Sequence, residues 1–291
     1  MFKVHRNKIL LLVALLLILL GGCARNTDSK GEILPDRLIS KETTFSHMMD
    51  KGGGLYDAII VYPMAQGINY LSDYVGVVLA IGVVTLIVNA IIFPISMKST
   101  RDSQKMQLLQ PELDRINEKY KDRNDERSNM AKSQEVMGLY KKYDIKIGSM
   151  MLGSFLPLPI MLAMWGAVQR AYAVRYGTFL GLDLHLSPQQ GFFNEHIPWY
   201  LVIFVIVNIV QAVSMLLPQW LAKRRLKQSR SYKAYDKPKK SSNPNGMMYA
   251  MLVMIIVFSF TWPTAMSVYW FFSSAVNIVK TFIAQPKMEG K

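Results

Sequence analysis

The stretch TLIVNAIIFP, from Thr85 to Pro94, places an amide side chain in the middle of an apolar run. The run extends approximately from Val77 to Met97, which is long enough to cross a bilayer as a helix. Asn89 lies near its centre, where hydrocarbon offers a polar side chain no hydrogen-bond partner. The segment therefore predicts a membrane helix whose Asn89 either packs against polar groups in a closed bundle or faces a polar groove.

The composition favours a membrane protein and excludes several other classes. The chain has 291 residues, of which 51% are hydrophobic, and a formal net charge of +14. This combination is typical of a multi-span protein with basic cytoplasmic loops. One cysteine and four scattered histidines argue against a disulfide framework and a Cys/His metal site, and no phosphate-binding loop is found. We expect no enzymatic activity, no catalytic residue, no cofactor, no metal and no DNA partner.

The amino terminus has the pattern of a secretory signal. MFKVHRNK is basic, and the following ILLLVALLLILLGG is apolar but too short for a typical membrane span. LLGGC resembles the bacterial lipobox, so residues 1–22 are predicted to be a lipoprotein signal peptide. Cys23 would then be the lipid-modified (palmitate-bearing) first residue of the mature chain, outside the cell. The alternative is an uncleaved signal anchor with an incidental cysteine.

Residues 23–54 are polar and predict an external linker, with a glycine-rich hinge at its end. In residues 55–76, apolar positions recur at helical spacing among polar ones. This pattern predicts an amphipathic helix in the outer interface, bent near Pro63. The alternative is a plain extracellular loop.

Five membrane-length segments follow, at residues 77–97, 150–172, 199–220, 247–262 and 265–283. Lys and Arg crowd the intervening residues 98–149 and 221–246, whereas residues 173–198 contain only Arg175 of these two types. By the positive-inside rule the two basic loops and the tail 284–291 are cytoplasmic, and residues 173–198 form an external loop. Arg170, near the outer end of the second span, is expected to extend its side chain toward the surface.

The first basic loop predicts a cytoplasmic helical hairpin. Met106, Leu109, Leu113, Ile116 and Tyr120 alternate at spacings of three and four, as in a coiled-coil seam. KDRNDERS interrupts this pattern before a second helical stretch. The excess of basic residues suits an anionic partner, either lipid headgroups or ribosomal RNA, and the alternative is a merely solvated hairpin.

Polar side chains share one helical face in three of the predicted spans. The residues are Thr85, Asn89 and Ser96 in the first span, Asn208 and Gln211 in the third, and Ser267, Trp270, Ser274 and Asn277 in the fifth. They could bond to one another in a closed bundle, or together line a polar cavity. The expected fold is an all-α membrane protein, with five transmembrane helices around a hydrophilic groove lined by these residues.

Six stretches carry a resemblance to a known family. They are VTLIVNAIIFPISMKST, MQLLQPELDRINEKYKD, QEVMGLYKKYDI, LPIMLAMWGAV, FLGLDL and PTAMSVYWFFSSAVNIVKTFI. In this order they resemble the YidC/Oxa/Alb membrane protein insertases, in their five-span lipoprotein form from Gram-positive bacteria. The resemblance covers nearly all of the chain from Tyr56 to Ile283.

The resemblance implies a membrane protein insertase and chaperone that works without nucleotide hydrolysis. The expected groove is open to the cytoplasm and to lipid, and the expected clients are nascent integral membrane proteins. Further partners are membrane lipids, the Sec translocon and, through the basic loops, the ribosome. The expected location is the bacterial cell membrane, with a lipid-anchored external amino terminus and a cytoplasmic carboxyl terminus.

Two spans depart from the family pattern. In the second, Gly153 and Pro157 stand where the family usually has Pro and Gln; the departure in the first span concerns the charge of the groove. Where Asn89 stands, the family carries a groove arginine that would attract acidic substrate segments. The departure suggests a neutral groove with a narrower or less acidic clientele. It also keeps open an alternative function, an assembly chaperone or scaffold for one membrane complex with little insertase activity. A small-solute transporter would call for an internal repeat and a mid-membrane ion site, and the sequence shows neither.

Overall fold

The computed structural model describes residues 33–51, 54–121, 123, 125–148, 155–228 and 245–284. The predictions for the signal peptide, for lipidation of Cys23, for most of the second basic loop and for nearly all of the carboxyl-terminal tail lie outside these ranges. Helix is the dominant structure in the described part. The helices are α1 (Phe45–Lys51), α2 (Tyr62–Val75), α3 (Val77–Leu108), α4 (Gln110–Lys119), α5 (Glu126–Lys142), α6 (Pro157–Arg170), α7 (Tyr172–Arg175), α8 (Pro188–Phe193), α9 (Trp199–Gln228), α10 (Asn245–Thr261) and α11 (Thr264–Ile283).

Short elements of other kinds complete the fold. A 3₁₀ turn spans Pro35–Arg37, and a π-helical segment, Asp57–Val61, leads into α2. Two strands, β1 (Thr178–Phe179) and β2 (Leu182–Asp183), form an antiparallel hairpin in the predicted external loop. The tight turn at Leu180 and Gly181, both at positive φ, brings the flanking residues into strand pairing. This hairpin is a minor element in a mostly helical fold, which agrees with the predicted all-α class.

Two helices, Val77–Leu108 and Trp199–Arg225, are long and apolar enough to cross a membrane by length and composition, and Tyr249–Thr261 is a shorter apolar helix. The helix of the first predicted span continues past Met97 to Leu108. The first helix of the hairpin, α4, therefore begins only at Gln110, and the second, α5, begins at Glu126. The structure agrees with a mostly helical membrane protein. The number of five spans stays a prediction.

The described residues belong to two compact units. Unit 1 comprises the chain up to Val88, Pro157–Val207 and Phe258–Phe272; unit 2 comprises Asn89–Leu156, Asn208–Val257 and the chain from Ser273 onward. Helices α3, α9, α10 and α11 are each divided between the two units.

The amino-terminal segment of unit 1, residues 33–51, is fastened to the unit by hydrogen bonds. The Ile39 amide donates to the Arg170 carbonyl at 2.7 Å, and the Ile39 carbonyl accepts from the Tyr172 amide at 2.9 Å. Asn69 adds two bonds, donating to the Ile39 carbonyl at 2.7 Å and accepting from the Ala173 amide at 3.0 Å. Gln66 donates to the Ser40 carbonyl at 2.8 Å. Several backbone polar groups of this segment, which lies within the predicted external linker, are therefore paired in the folded protein. Its role as a linker stays a prediction.

A buried ion pair joins the π-helical segment of unit 1 to α6. An Arg170 Nη1 to Asp57 Oδ2 distance of 2.7 Å links two side chains that are almost fully buried. The expectation that Arg170 extends toward the surface is wrong. Desolvating a guanidinium is costly, and a carboxylate partner inside the unit offsets that cost where the surface lies out of reach.

The helical hairpin of unit 2, which the sequence predicts to be cytoplasmic, has most of its apolar seam buried. Leu109, Leu113 and Ile116 are buried, and α4 packs against α5. An exposed ion pair, Lys119 to Glu135 at 2.8 Å, also links the two helices. The hydrogen bond from Lys119 lowers the pKa of the Glu135 carboxyl below its ordinary value. Asp125 caps α5 by accepting from the Ser128 amide.

Candidate functional site

The polar centre of unit 2 is built around Asn89. Its side-chain oxygen accepts a hydrogen bond from Lys280 Nζ at 2.9 Å, and both residues are buried. Asn89 belongs to α3 and Lys280 to the last turns of α11, so the contact joins the predicted first and fifth spans. A cation therefore lies at the position that the sequence analysis expected to be neutral.

A second contact joins the predicted third and fifth spans. The Ser274 hydroxyl donates to Gln211 Oε1, with Ser274 buried and Gln211 half-buried. Ser274 precedes Lys280 on α11 by about 9 Å of helix rise. Two polar contacts thus occur on the same helix within unit 2, and three of the four residues belong to the predicted groove set.

Three further residues of the predicted groove, Ser96, Asn208 and Asn277, also belong to unit 2. Asn208 is half-buried and Asn277 is exposed. The Ser96 hydroxyl donates to the carbonyl of Phe93 in its own helix at 3.1 Å, which satisfies its donor locally. The place of these three residues in a common groove with Asn89 stays a prediction.

The remaining predicted residues, Thr85, Ser267 and Trp270, belong to unit 1. Thr85 is fully buried and donates to the Ile81 carbonyl at 2.7 Å. Ser267 is buried, and Trp270 stacks on Trp262 with ring centroids 5.5 Å apart. Trp270 is part of the apolar core of unit 1. Its place in a polar groove stays a prediction, since a helical face that is polar by spacing can pass into a packed core elsewhere along the same helix.

Lys280 is the functional candidate that the sequence analysis missed. The signal was present in NIVKTFI, where a lysine falls inside the last predicted span. The cost of placing a charge in a membrane helix makes such a residue conspicuous. The polar stripe drawn through Ser267, Trp270, Ser274 and Asn277 does not contain it. Gln104 was missed as well: its side-chain amide, buried at the end of α3, donates to the Thr281 carbonyl at 3.0 Å.

Unit 2 also has a basic cleft of about 600 Å³ at the end of the first predicted span. We define this basic cleft by its lining: the apolar Phe93, Pro94 and Met97, the cationic Lys98, Arg101, Lys105 and Lys146, and the acidic Asp102 and Asp144. Lys105 Nζ donates to the Tyr143 carbonyl at 3.4 Å, which links α3 to the end of the hairpin. Apolar and basic walls meet here, as they do at a membrane surface.

Comparison with known proteins supplies the family. Residues 70–291 match the family described as 60Kd inner membrane protein. A membrane protein insertase YidC 2 of Bacillus anthracis is 29% identical over 235 residues, which are 80% of this chain and 82% of that protein. The membrane protein insertase MisCA of Bacillus subtilis is 29% identical over 78% of each chain.

A third relative matches over the whole chain. It is a membrane protein insertase YidC 2 of Listeria innocua, 26% identical over 297 aligned positions that cover 100% of this chain and 88% of that protein. The family match spans most of the sequence, including the helices that carry Asn89, Gln211 and Lys280. The resemblance seen in the sequence is thereby confirmed, and the chain belongs to the 60Kd inner membrane protein family, the family of the YidC insertases.

Proposed function

We propose that this protein inserts integral membrane proteins into the bacterial cell membrane and assists their folding, through a polar groove and without nucleotide hydrolysis. The observation that carries the proposal is the pair of contacts Asn89–Lys280 and Gln211–Ser274. They join polar side chains from the parts of three predicted spans that belong to unit 2. The relatives are named membrane protein insertases. The clients in this proposal are nascent integral membrane proteins.

The physical basis of the activity is a lower cost of carrying polar residues into the bilayer. Moving an amide into hydrocarbon without a partner costs several kcal/mol, on the order of 4–8 on the cyclohexane scale. Asn89, Lys280, Gln211 and Ser274 offer donors and acceptors part-way across. Burial of the client's apolar helix in lipid then drives the remaining movement, so no nucleotide is needed.

The proposed location and orientation follow from charge and lipidation. The lipid-bearing Cys23 would hold the amino terminus outside, and the basic hairpin would lie in the cytoplasm with the carboxyl terminus. Contacts with the Sec translocon and the ribosome are part of the same proposal, and the basic surfaces of unit 2 are the ones available to ribosomal RNA.

Site-specific photocrosslinking tests the groove. A photoreactive amino acid at position 89 or 211 is expected to crosslink to a stalled nascent chain that carries one membrane span. The matched control is position 253 on α10, where Val253 is exposed and apolar; crosslinks there should reach lipid rather than the client's polar segment. Crosslinks from position 89 only to a folded membrane subunit, and never to nascent chains, would favour the scaffold function.

The basic cleft suggests an anionic lipid as a further partner. Its cations outnumber its carboxylates, and Phe93, Pro94 and Met97 suit the start of an acyl chain. We expect Lys98→Gln with Arg101→Gln to reduce retention of phosphatidylglycerol by about fivefold relative to phosphatidylcholine. Native mass spectrometry of the purified protein measures this ratio. Lys121→Gln, a change in the exposed hairpin, is the control, and an unchanged ratio in the double variant would contradict the lipid assignment.

A further inference from the structure

Two basic side chains inside predicted spans are buried, and they have different partners. Arg170 pairs with a carboxylate, Asp57, at 2.7 Å. Lys280 is 4% exposed and donates to an amide oxygen, that of Asn89, at 2.9 Å. In the described part of the chain no Asp or Glu lies within ion-pair distance of Lys280. Arg170 therefore has its charge compensated within the fold, whereas the hydrogen-bond acceptor of Lys280 among the described residues is a neutral amide.

The direction of the Lys280 side chain is informative. Ile283 ends α11 one turn later, so a lysine here could extend toward the carboxyl end of the helix and reach the cytoplasmic surface. Its Nζ instead contacts Asn89, which precedes Met97, the predicted end of the first span, by about 12 Å of helix rise. The ammonium group thus points into the predicted membrane rather than out of it.

Burying the Lys280 ammonium group within the predicted membrane lowers the stability of the fold, and an apolar side chain could fill the same space without that cost. A charged residue at the centre of a membrane helix is costly, and intramembrane charges are found mostly where they meet substrates, ions or one another. An amide oxygen orients the ammonium group through one hydrogen bond and leaves its remaining donors for other acceptors. The missing complement is an anionic group, and a carboxylate is the one that a protein client can bring.

We propose that Lys280 is the specificity-determining cation of the groove, that Asn89 is a positioning residue which holds it at this depth, and that the preferred clients carry Asp or Glu in the segment to be translocated. The inference rests on the insertase function proposed above and names its substrate class. It reverses the expectation of a neutral groove, because the charge missing from the first span is supplied by the last one. Asn89 and Lys280 act as a unit, with the cation and its acceptor on different helices.

The test compares two clients that differ in charge alone. Each is a single-span protein with a short translocated tail, one bearing two Asp residues and the other two Asn residues. Insertion into proteoliposomes that contain the purified full-length protein is measured by protease protection of the tail. We expect the unaltered protein to favour the Asp tail, and Lys280→Gln to lower the Asp-to-Asn insertion ratio by about tenfold, to near unity.

Three further variants separate charge from structure. Lys280→Arg should keep the preference, and the exchange of Asn89→Lys with Lys280→Asn should restore it, because the cation then returns from the other helix to the same place. Lys280→Glu should reverse the preference toward a tail with two Lys residues. Lys121→Gln removes one charge from the exposed hairpin and should leave the ratio unchanged. A purely structural role for Lys280 would predict neither the recovery in the exchanged pair nor the reversal by Lys280→Glu.

The outcomes distinguish the two proposals. If the unaltered protein inserts both tails and Lys280→Gln leaves the ratio as it was, the assignment of Lys280 is overturned and the insertase function stands. If the unaltered protein inserts neither tail while its fold is intact by thermal unfolding, the insertase function fails, and the inference with it.

Discussion

Replacing Arg170 by methionine is expected to destabilise the protein by about 3–5 kcal/mol. In the unaltered protein the Arg170 guanidinium lies 2.7 Å from the Asp57 carboxylate. The change leaves that carboxylate buried without its partner. It also removes the bond from Arg170 Nε to the Gly166 carbonyl at 3.2 Å. Thermal unfolding in detergent micelles, followed by tryptophan fluorescence, measures the loss.

A second variant shows whether the loss comes from the unpaired charge. Combining Asp57→Leu with Arg170→Met removes both charges, and we expect it to recover most of the stability, because a buried pair can be replaced by apolar groups at little cost. Lys41→Met breaks an exposed ion pair with Asp73 in the same unit and should have no measurable effect. Strictly additive losses for the two single variants would mean that the pair contributes no coupling.

Replacing Gly191 by alanine is expected to destabilise unit 1 by about 1–3 kcal/mol. A β-carbon at this position would lie 2.1 Å from Cδ2 of Tyr200. The ring cannot easily retreat, because Tyr200 is almost fully buried and its hydroxyl donates to the Asp183 carbonyl at 3.1 Å. The same unfolding measurement checks this prediction.

The same substitution elsewhere provides the matched control. Gly138 lies in α5, and a β-carbon there would meet no atom within 4 Å. Gly138→Ala should therefore be neutral, or raise stability by about 0.5–1 kcal/mol through helix propensity. Equal effects at positions 138 and 191 would show that the contact with Tyr200 is not what matters.

The helical elements could be predicted because their signals are local. The length of the apolar runs predicted α3, α9 and α11, and the spacing of Leu109, Leu113 and Ile116 predicted the hairpin. The helix bounds were less accurate: α3 runs on to Leu108, because the chain beyond Met97 still favours helix while losing its apolar character. Hydropathy reports where the membrane is expected to end, not where the helix ends.

Three of the four residues in the two polar contacts of unit 2 could be predicted, because their signals are also local. Asn89, Gln211 and Ser274 stand out as polar residues in apolar runs, and each has a polar contact in unit 2. Trp270 has the same helical spacing but packs on Trp262 in the core of unit 1. Spacing along one helix identifies a shared face. It does not identify what the face meets.

By itself, the sequence determined the family, the membrane character of the chain and the polar positions within the predicted spans, since composition, periodicity and motif order are properties of the chain read in one direction. The tertiary structure alone decided that Arg170 pairs with Asp57, that residues 33–51 are held by Asn69 and α6, and that Lys280 reaches Asn89. These partners are far apart in sequence. No local pattern links them, because each contact depends on how the helices pack.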